Sequence, residues 1–285
     1  MRHTMGVAQP FEVKVADGVL GGLRTGNGPP IVMLHGGPGL SDYLESLDDE
    51  LTSGYTVYRY QQRGLAPSTT SGPFSVETHV ADALAILQAL APRGAVIVGH
   101  SWGGYLAMHL ATTRSDLILG LVVVDPLGAV GDGGAADMSR IVEARTSAEA
   151  LARVNELHER AEAGNGTAEE ALESLSLTWP ARFANPTSAP AMPPTMSISL
   201  ECNAETWASL QNHLEKQTVT GLLPTVTIPT VFVLGADSPI PPEHGRASAA
   251  LIPGARAEVH DGCGHFPWIE RPGVVRNAVD SLHAF

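Results

Sequence analysis

The sequence predicts an α/β protein: a mostly parallel central sheet with helices on both faces, interrupted once by a helical insertion. Three observations predict it. Short apolar runs at 30–34, 95–98, 117–124 and 230–234 are unbroken rather than alternating, as in strands buried on both faces. Between such runs lie helical stretches, such as 76–90, where Val76, Val80, Ala83, Leu84, Leu87 and Leu90 share one face. From 127 to 225 the rhythm stops and the text turns Ala- and Glu-rich; it resumes after Pro229.

Taken in order, residues 11–16 alternate apolar and polar as a half-buried strand does, and Asp17–Gly18 and Gly21–Gly22 read as turns. A strand at 30–34 runs into His35-Gly36-Gly37-Pro38-Gly39, and a β-rich run follows at 55–60. The helix at 76–90 leads to a strand at 95–98, a helix at 102–112 and a strand at 117–124 that ends at Asp125-Pro126. Helices are expected at 138–157, 168–177 and 204–217, with a Pro-rich loop at 184–194. The last section reads strand 230–234, helix 242–251, strand 257–260 and helix 274–285. Residues 1–126 and 226–285 thus form the sheet core, and 127–225 an inserted helical lid, because the sheet needs the strands on both sides of it.

Composition bounds the function. The 285 residues carry 30 Asp plus Glu against 17 Lys plus Arg, a net charge of −13, with 44 % hydrophobic residues. That is too apolar for a disordered chain, and with only Lys14 and Lys216 as lysines it lacks the basic surface of a nucleic-acid binder. No apolar leader and no run long enough for a transmembrane helix is present, so a cytoplasmic protein without a membrane partner is expected. Two cysteines, Cys202 and Cys263, fit reduced thiols and neither a disulfide scaffold nor a metal site. Nothing in the pattern specifies an oligomeric state.

The chemistry sits in Gly99-His100-Ser101-Trp102-Gly103-Gly104, a G-x-S-x-G between a strand and a helix. In that setting the serine occupies a sharp turn that lifts its hydroxyl above the sheet. Serine needs a base to take its proton. His265, in Gly262-Cys263-Gly264-His265-Phe266-Pro267, follows the last strand, and Asp237, in Leu234-Gly235-Ala236-Asp237, follows the one before it. Both reach the carboxyl edge of the sheet, where ligands of open α/β sheets bind. The expected roles are Ser101 as nucleophile, His265 as proton shuttle and Asp237 as the acid that orients the imidazole. Asp125 also ends a strand and competes for that last role. His260 reads as structural, His244 as exposed, and His35 and His100 as braces of their loops. The oxyanion needs backbone donors; Trp102 follows the nucleophile, and Gly37 lies in the first strand–loop turn.

With these motifs the chain resembles the α/β-hydrolase superfamily over nearly its whole length, and more narrowly the proline iminopeptidase group of serine peptidases. The carrying segments are 35–39, Gln62-Arg63-Gly64, 99–104 and the contexts of Asp237 and His265. The resemblance implies the α/β-hydrolase fold, no cofactor, and release of an N-terminal proline or similar residue from a short peptide. The chain departs from the group at Gln61, where the peptidases carry Asp, at Ala66, where they carry Gly, and at Leu200-Glu201-Cys202-Asn203, a loose match to their amine-binding segment. Glu201 is the candidate amine ligand; Trp179 and Trp207, with Phe183, are candidates to line the substrate pocket. The expectation is a serine hydrolase of a small-molecule or short-peptide carbonyl substrate, with an esterase or lactonase as the alternative and a non-catalytic ligand receptor as the remote one. Epoxide and haloalkane hydrolases place Asp where Ser101 stands. Residues 127–225 carry −7 of the net charge of −13, a slight argument for a cationic substrate.

Overall fold

The computed structural model describes residues 7–282. Its sheet contains β1 (Gln9–Val15), β2 (Gly18–Gly26), β3 (Pro30–Leu34), β4 (Thr56–Tyr60), β5 (Ala95–His100), β6 (Ile118–Val124), β7 (Thr230–Gly235) and β8 (Arg256–His260). In space the order is β1-β2-β4-β3-β5-β6-β7-β8. β2 pairs antiparallel with both β1 and β4, and every other pairing is parallel.

The unbroken apolar runs have the expected cause. In β3, Ile31 and Met33 face one apolar layer while Val32 and Leu34 face the other. The same alternation holds for Val122 and Val124 against Leu121 and Val123 in β6, and for Val231 and Val233 against Phe232 and Leu234 in β7. Successive side chains point to opposite faces, and both faces are covered. One layer lies under α2 (Val76–Leu90) and α3 (Trp102–Thr113), which follow β4 and β5. The other lies under the single turn α1 (Asp48–Leu51), which precedes β4, and under the C-terminal α10 (Val274–Ser281). Truncating a fully buried leucine here, such as Leu106, costs about 2–5 kcal/mol.

Between β6 and β7 stand α4 (Ala135–Arg145), α5 (Ala148–Glu162), α6 (Ala168–Thr178) and α7 (Leu200–Glu215). α8 (Pro242–Ala249) follows β7, and the one-turn α9 (Pro267–Glu270) follows β8. α5 and α6 are joined by exposed ion pairs, Arg153–Glu173 and Arg160–Glu170, so much of the negative charge of this region is a solvated helix surface. α7 behaves differently: Leu210 and Leu214 enter the same core as α2 and α3. Its Ser209 hydroxyl accepts the Val76 N–H at 3.0 Å, and His213 Nε2 lies 2.8 Å from Glu77 Oε1.

Three sequence expectations need correction. The glycines at 21–22 lie inside β2 rather than in a turn, whereas Asp17 does sit in the turn that joins β1 to β2: glycine disfavours a strand by itself, but here both flanking strands supply hydrogen-bond partners. The helix expected over 138–157 is two helices, because Thr146 is extended and Ser147 caps a new one by accepting the Ala150 N–H. α7 starts at Leu200 rather than 204, since Ser199 caps it through the Cys202 N–H. The end of the helix expected at 274–285 lies outside the described residues. Among the described residues no helix is long and apolar enough to cross a membrane, and no cluster of side chains suits a metal ion.

Candidate active site

Ser101 stands between β5 and α3 at φ +57°, ψ −121°. This is a backbone conformation that a non-glycine residue holds only when its surroundings enforce it. They do: the Ser101 N–H donates to Val124 O of β6 at 3.1 Å, and Ser101 O accepts the Leu127 N–H at 3.1 Å. The G-x-S-x-G spacing follows from crowding, because a Cβ on Gly103 would lie 2.0 Å from Leu34 O and one on Gly99 2.3 Å from Gly103 O.

The loop after β8 brings in His265. Its Nδ1 lies 2.6 Å from Asp125 Oδ2, its N–H donates to Arg182 O at 2.8 Å, and its ring centroid is 4.6 Å from that of His100, the neighbour of Ser101. With Nδ1–H given to the carboxylate, Nε2 carries the free lone pair. Burial lowers the pKa of His265, and the positive charge of Arg182 lowers it further, so the ring is a neutral base at neutral pH.

Here the structure corrects the expected acid. Asp125, at the end of β6, is buried and makes the contact with His265. Its Oδ1 accepts the Gly235 N–H at 3.0 Å and its Oδ2 accepts the Ser238 hydroxyl at 2.5 Å. Burial pushes its carboxyl above the usual aspartate range, and the Ser238 and Gly235 bonds pull it back. Asp237 is exposed; its carboxylate accepts the Gly262 N–H at 3.1 Å. β6 and β7 are adjacent, so both tips reach the same edge, but only the carboxylate of β6 points beneath the histidine.

The turn 35–39 lies against the nucleophile: a Cβ on Gly36 would be 2.7 Å from Ser101 Cβ. The Gly36 N–H donates to Tyr43 Oη at 3.0 Å, Tyr43 Oη lies 2.7 Å from His100 Nδ1, and His100 Nε2 lies 2.7 Å from His265 O. Burial keeps His100 neutral, which this relay requires: it accepts from Tyr43 at one nitrogen and donates to His265 at the other. His35 braces its own turn, with Nδ1 on Gly36 O and Nε2 accepting the Gln62 N–H. Gln62 also accepts the Trp102 indole N–H at 2.9 Å. Gln61 holds the loop from both sides, accepting the Asp42 N–H and donating to Leu40 O. Gly37 adopts φ +59°, and Trp102 opens α3, where the first helical N–H groups have no partner within the helix. Trp102 follows Ser101 directly, and Gly37 follows Gly36, the residue packed against Ser101.

The four remaining candidates diverge. Trp179 is buried, donates its indole N–H to Pro190 O at 3.1 Å and packs at 4.7 Å on Phe266, next to His265. Phe183 joins the same aromatic group. Trp207 faces a groove between α4 and α7 with Asp132 and Gln211, and none of Ser101, Asp125 or His265 lines it. Glu201 is exposed on the first turn of α7. Sequence reasoning missed Tyr43, Ser238, Arg182 and Glu270. Glu270 accepts the N–H of Gly264 at 2.6 Å and that of Ala184 at 2.8 Å, tying the histidine loop to the insertion. Only Ser238, adjacent to a predicted catalytic position, carried any signal.

Residues 31–278 match the profile described as Alpha/beta hydrolase family. The chain is 29 % identical to the sn-1-specific diacylglycerol lipase ABHD11 of Mus musculus over 264 residues, 90 % of this chain and 81 % of that one. It is 23 % identical to a proline iminopeptidase of Lactobacillus helveticus over 261 residues, 85 % of each chain. The crystal structure of VinJ superposes with a TM-score of 0.73 at 24 % identity, covering 97 % of this chain and 98 % of that one.

Proposed function

We propose, from the premise that the chain belongs to the alpha/beta hydrolase family, that it is a serine hydrolase acting on a small carbonyl substrate through an acyl-enzyme. The observation that carries this reading is the 2.6 Å contact between His265 Nδ1 and Asp125 Oδ2 beside the strained turn of Ser101. Ser101 Oγ attacks the carbonyl carbon while His265 Nε2 takes its proton. Asp125 stabilises the imidazolium. The N–H groups of Gly37 and Trp102 receive the oxyanion. His265 returns the proton to the leaving group as the bond to it breaks, leaving the acyl group on Ser101. A water, deprotonated by the same nitrogen, then releases the acid and restores the serine. Residues 127–225 act as a cap: their turn at 179–184 lies against His265, and Asn203 donates to Pro38 O at 2.8 Å.

Ester or lactone substrates are favoured by the exposure of Glu201, which leaves the amine-binding reading without its ligand. The second reading, an aminopeptidase for N-terminal proline, is supported by similarity to the Lactobacillus helveticus enzyme over 85 % of the chain. The test is a fluorophosphonate probe followed by mass spectrometry, then a parallel panel of short esters, lactones and prolyl arylamides with Ser101→Ala as control. An adduct on Ser101 and ester turnover abolished by that substitution are expected. A folded protein with no adduct is the receptor outcome and overturns the proposal.

A further inference from the structure

Three arginines point inward near the site, and two are neutralised. Arg59 holds Asp42 and Asp48, and Arg63 holds Asp82 and Asp17. The third, Arg182, closes the turn Trp179–Arg182. Its backbone carbonyl accepts the His265 N–H, so the residue lies directly against the histidine loop. Its Nη1 donates to Thr178 O at 2.8 Å and to Thr178 Oγ1 at 3.1 Å. Both partners are neutral. Its Nε and Nη2 have no protein partner among the described residues, and no carboxylate there lies within ion-pair distance. Burial draws the guanidinium down to about 10, which leaves it charged at neutral pH, and its charge reaches both Tyr43 and His265.

An uncompensated guanidinium in a half-buried place is costly to keep. The two free donors form one side of the planar fork that grips a carboxylate with two parallel bonds. The Thr178 anchors fix the other side of the fork, so its direction is set before any ligand arrives. The backbone of Arg182 is one hydrogen bond from that of His265, and the charge of its guanidinium reaches the imidazole, which suits a carboxylate carried by the same substrate as the scissile carbonyl. The only carboxylate touching the histidine is Asp125, which is already committed to Gly235, Ser238 and the imidazole.

We propose that Arg182 is the specificity anchor of the site, and that the substrate is a small ester or lactone carrying a free carboxylate that pairs with this guanidinium. The inference rests on the serine-hydrolase reading above. It reverses the charge that the acidic insertion suggested: those carboxylates face solvent, and the charge that the insertion brings to the histidine loop is that of Arg182.

The test compares monoethyl glutarate with ethyl glutaramate, its neutral isostere, by ethanol release. The wild-type enzyme should prefer the charged ester. In Arg182→Met the ratio of kcat/KM values, charged over neutral, should fall at least about 30-fold, the loss expected when one partner of a hydrogen-bonded charge pair is removed. Arg182→Lys should recover part of it. Free glutarate should inhibit the wild type competitively and Arg182→Met at least about 30-fold less. A wild type indifferent to the charge, or a ratio unmoved by Arg182→Met, overturns the proposal. The wild-type comparison and the glutarate inhibition constant decide it even where the methionine variant fails to fold. Turnover of both esters surviving in Ser101→Ala would instead defeat the serine-hydrolase reading on which the anchor depends.

Discussion

Asp125 Oδ2 and His265 Nδ1 lie 2.6 Å apart at the carboxyl edge of the sheet, with the Ser238 hydroxyl on the same carboxylate oxygen. The carboxylate bonded to His265 therefore rides on the strand next to the one that leads into Ser101.

Exchange of the acid separates the two aspartates. Asp125→Asn removes the acceptor that sets the imidazole tautomer and should lower kcat on a short ester by about 10³–10⁴-fold. Asp237→Asn, at an exposed residue bonded to a loop N–H, should change it less than about threefold. Steady-state kinetics on both variants checks this; the opposite order would return the acid to Asp237.

The relay through Tyr43 predicts a loss of stability. Tyr43→Phe deprives the Gly36 N–H of its acceptor and the His100 ring of its donor. A buried donor left without a partner costs about 1–3 kcal/mol. Urea unfolding should show an unfolding free energy lowered by that amount, read as a lower midpoint at unchanged slope, and ester turnover should fall with it, because Gly36 packs against Ser101.

The histidine pair predicts the acid side of the pH profile. Burial and then the Arg182 charge both lower His265, so its neutral form persists to lower pH than an ordinary histidine. The acid limb of kcat/KM should lie below about 6.5. Arg182→Met removes one of the two lowering causes and should move that limb upward. A limb at or above 6.5 in the wild type, or a downward move in the variant, contradicts the assignment.

Folding stability should also fall with acid. His35, His79, His100 and His265 are all buried with pKa values lowered by burial, His79 to about 3. The unfolded chain protonates them near 6.5 while the folded chain does not, so stability is complete above that pH and declines below it. In that window each such group costs about 1.4 kcal/mol per pH unit. Chemical unfolding at pH 7.5 and 5.5 measures the slope; a flat profile would mean that these rings admit protons in the folded state.

The strand–helix rhythm was legible because burial on both faces writes unbroken apolar runs, and Ser101, His265, Gly37 and Trp102 were legible as candidates because a strand–turn–helix with glycine spacing permits few alternatives. The acid was not. Asp125 and Asp237 each follow a strand in a position that reaches the same edge, and only the direction in which each leaves its strand separates them; Asp125 leaves at φ +39°. That angle has no signature in the residue types. Tyr43 and Arg182 were invisible for a related reason: each meets its partners near the site across long separations in the chain, as Glu270 meets Ala184. Glu201 and Trp207 were read from resemblance and residue type; Glu201 is exposed, and Trp207 faces the groove between α4 and α7.

The histidine loop is held from the insertion side at two points. His265 N–H rests on Arg182 O, and Glu270 clasps the amides of Gly264 and Ala184 together. Ser101 and Asp125 are held differently, at the ends of hydrogen-bonded neighbouring strands, with the Leu127 N–H on Ser101 O at the point where the insertion begins. The turn at 179–184 is thus an interlock. Outward movement of this turn would have to break the bond to the His265 N–H and part Glu270 from one of the two amides it holds, so the seating of the imidazole on Asp125 depends on where this turn sits.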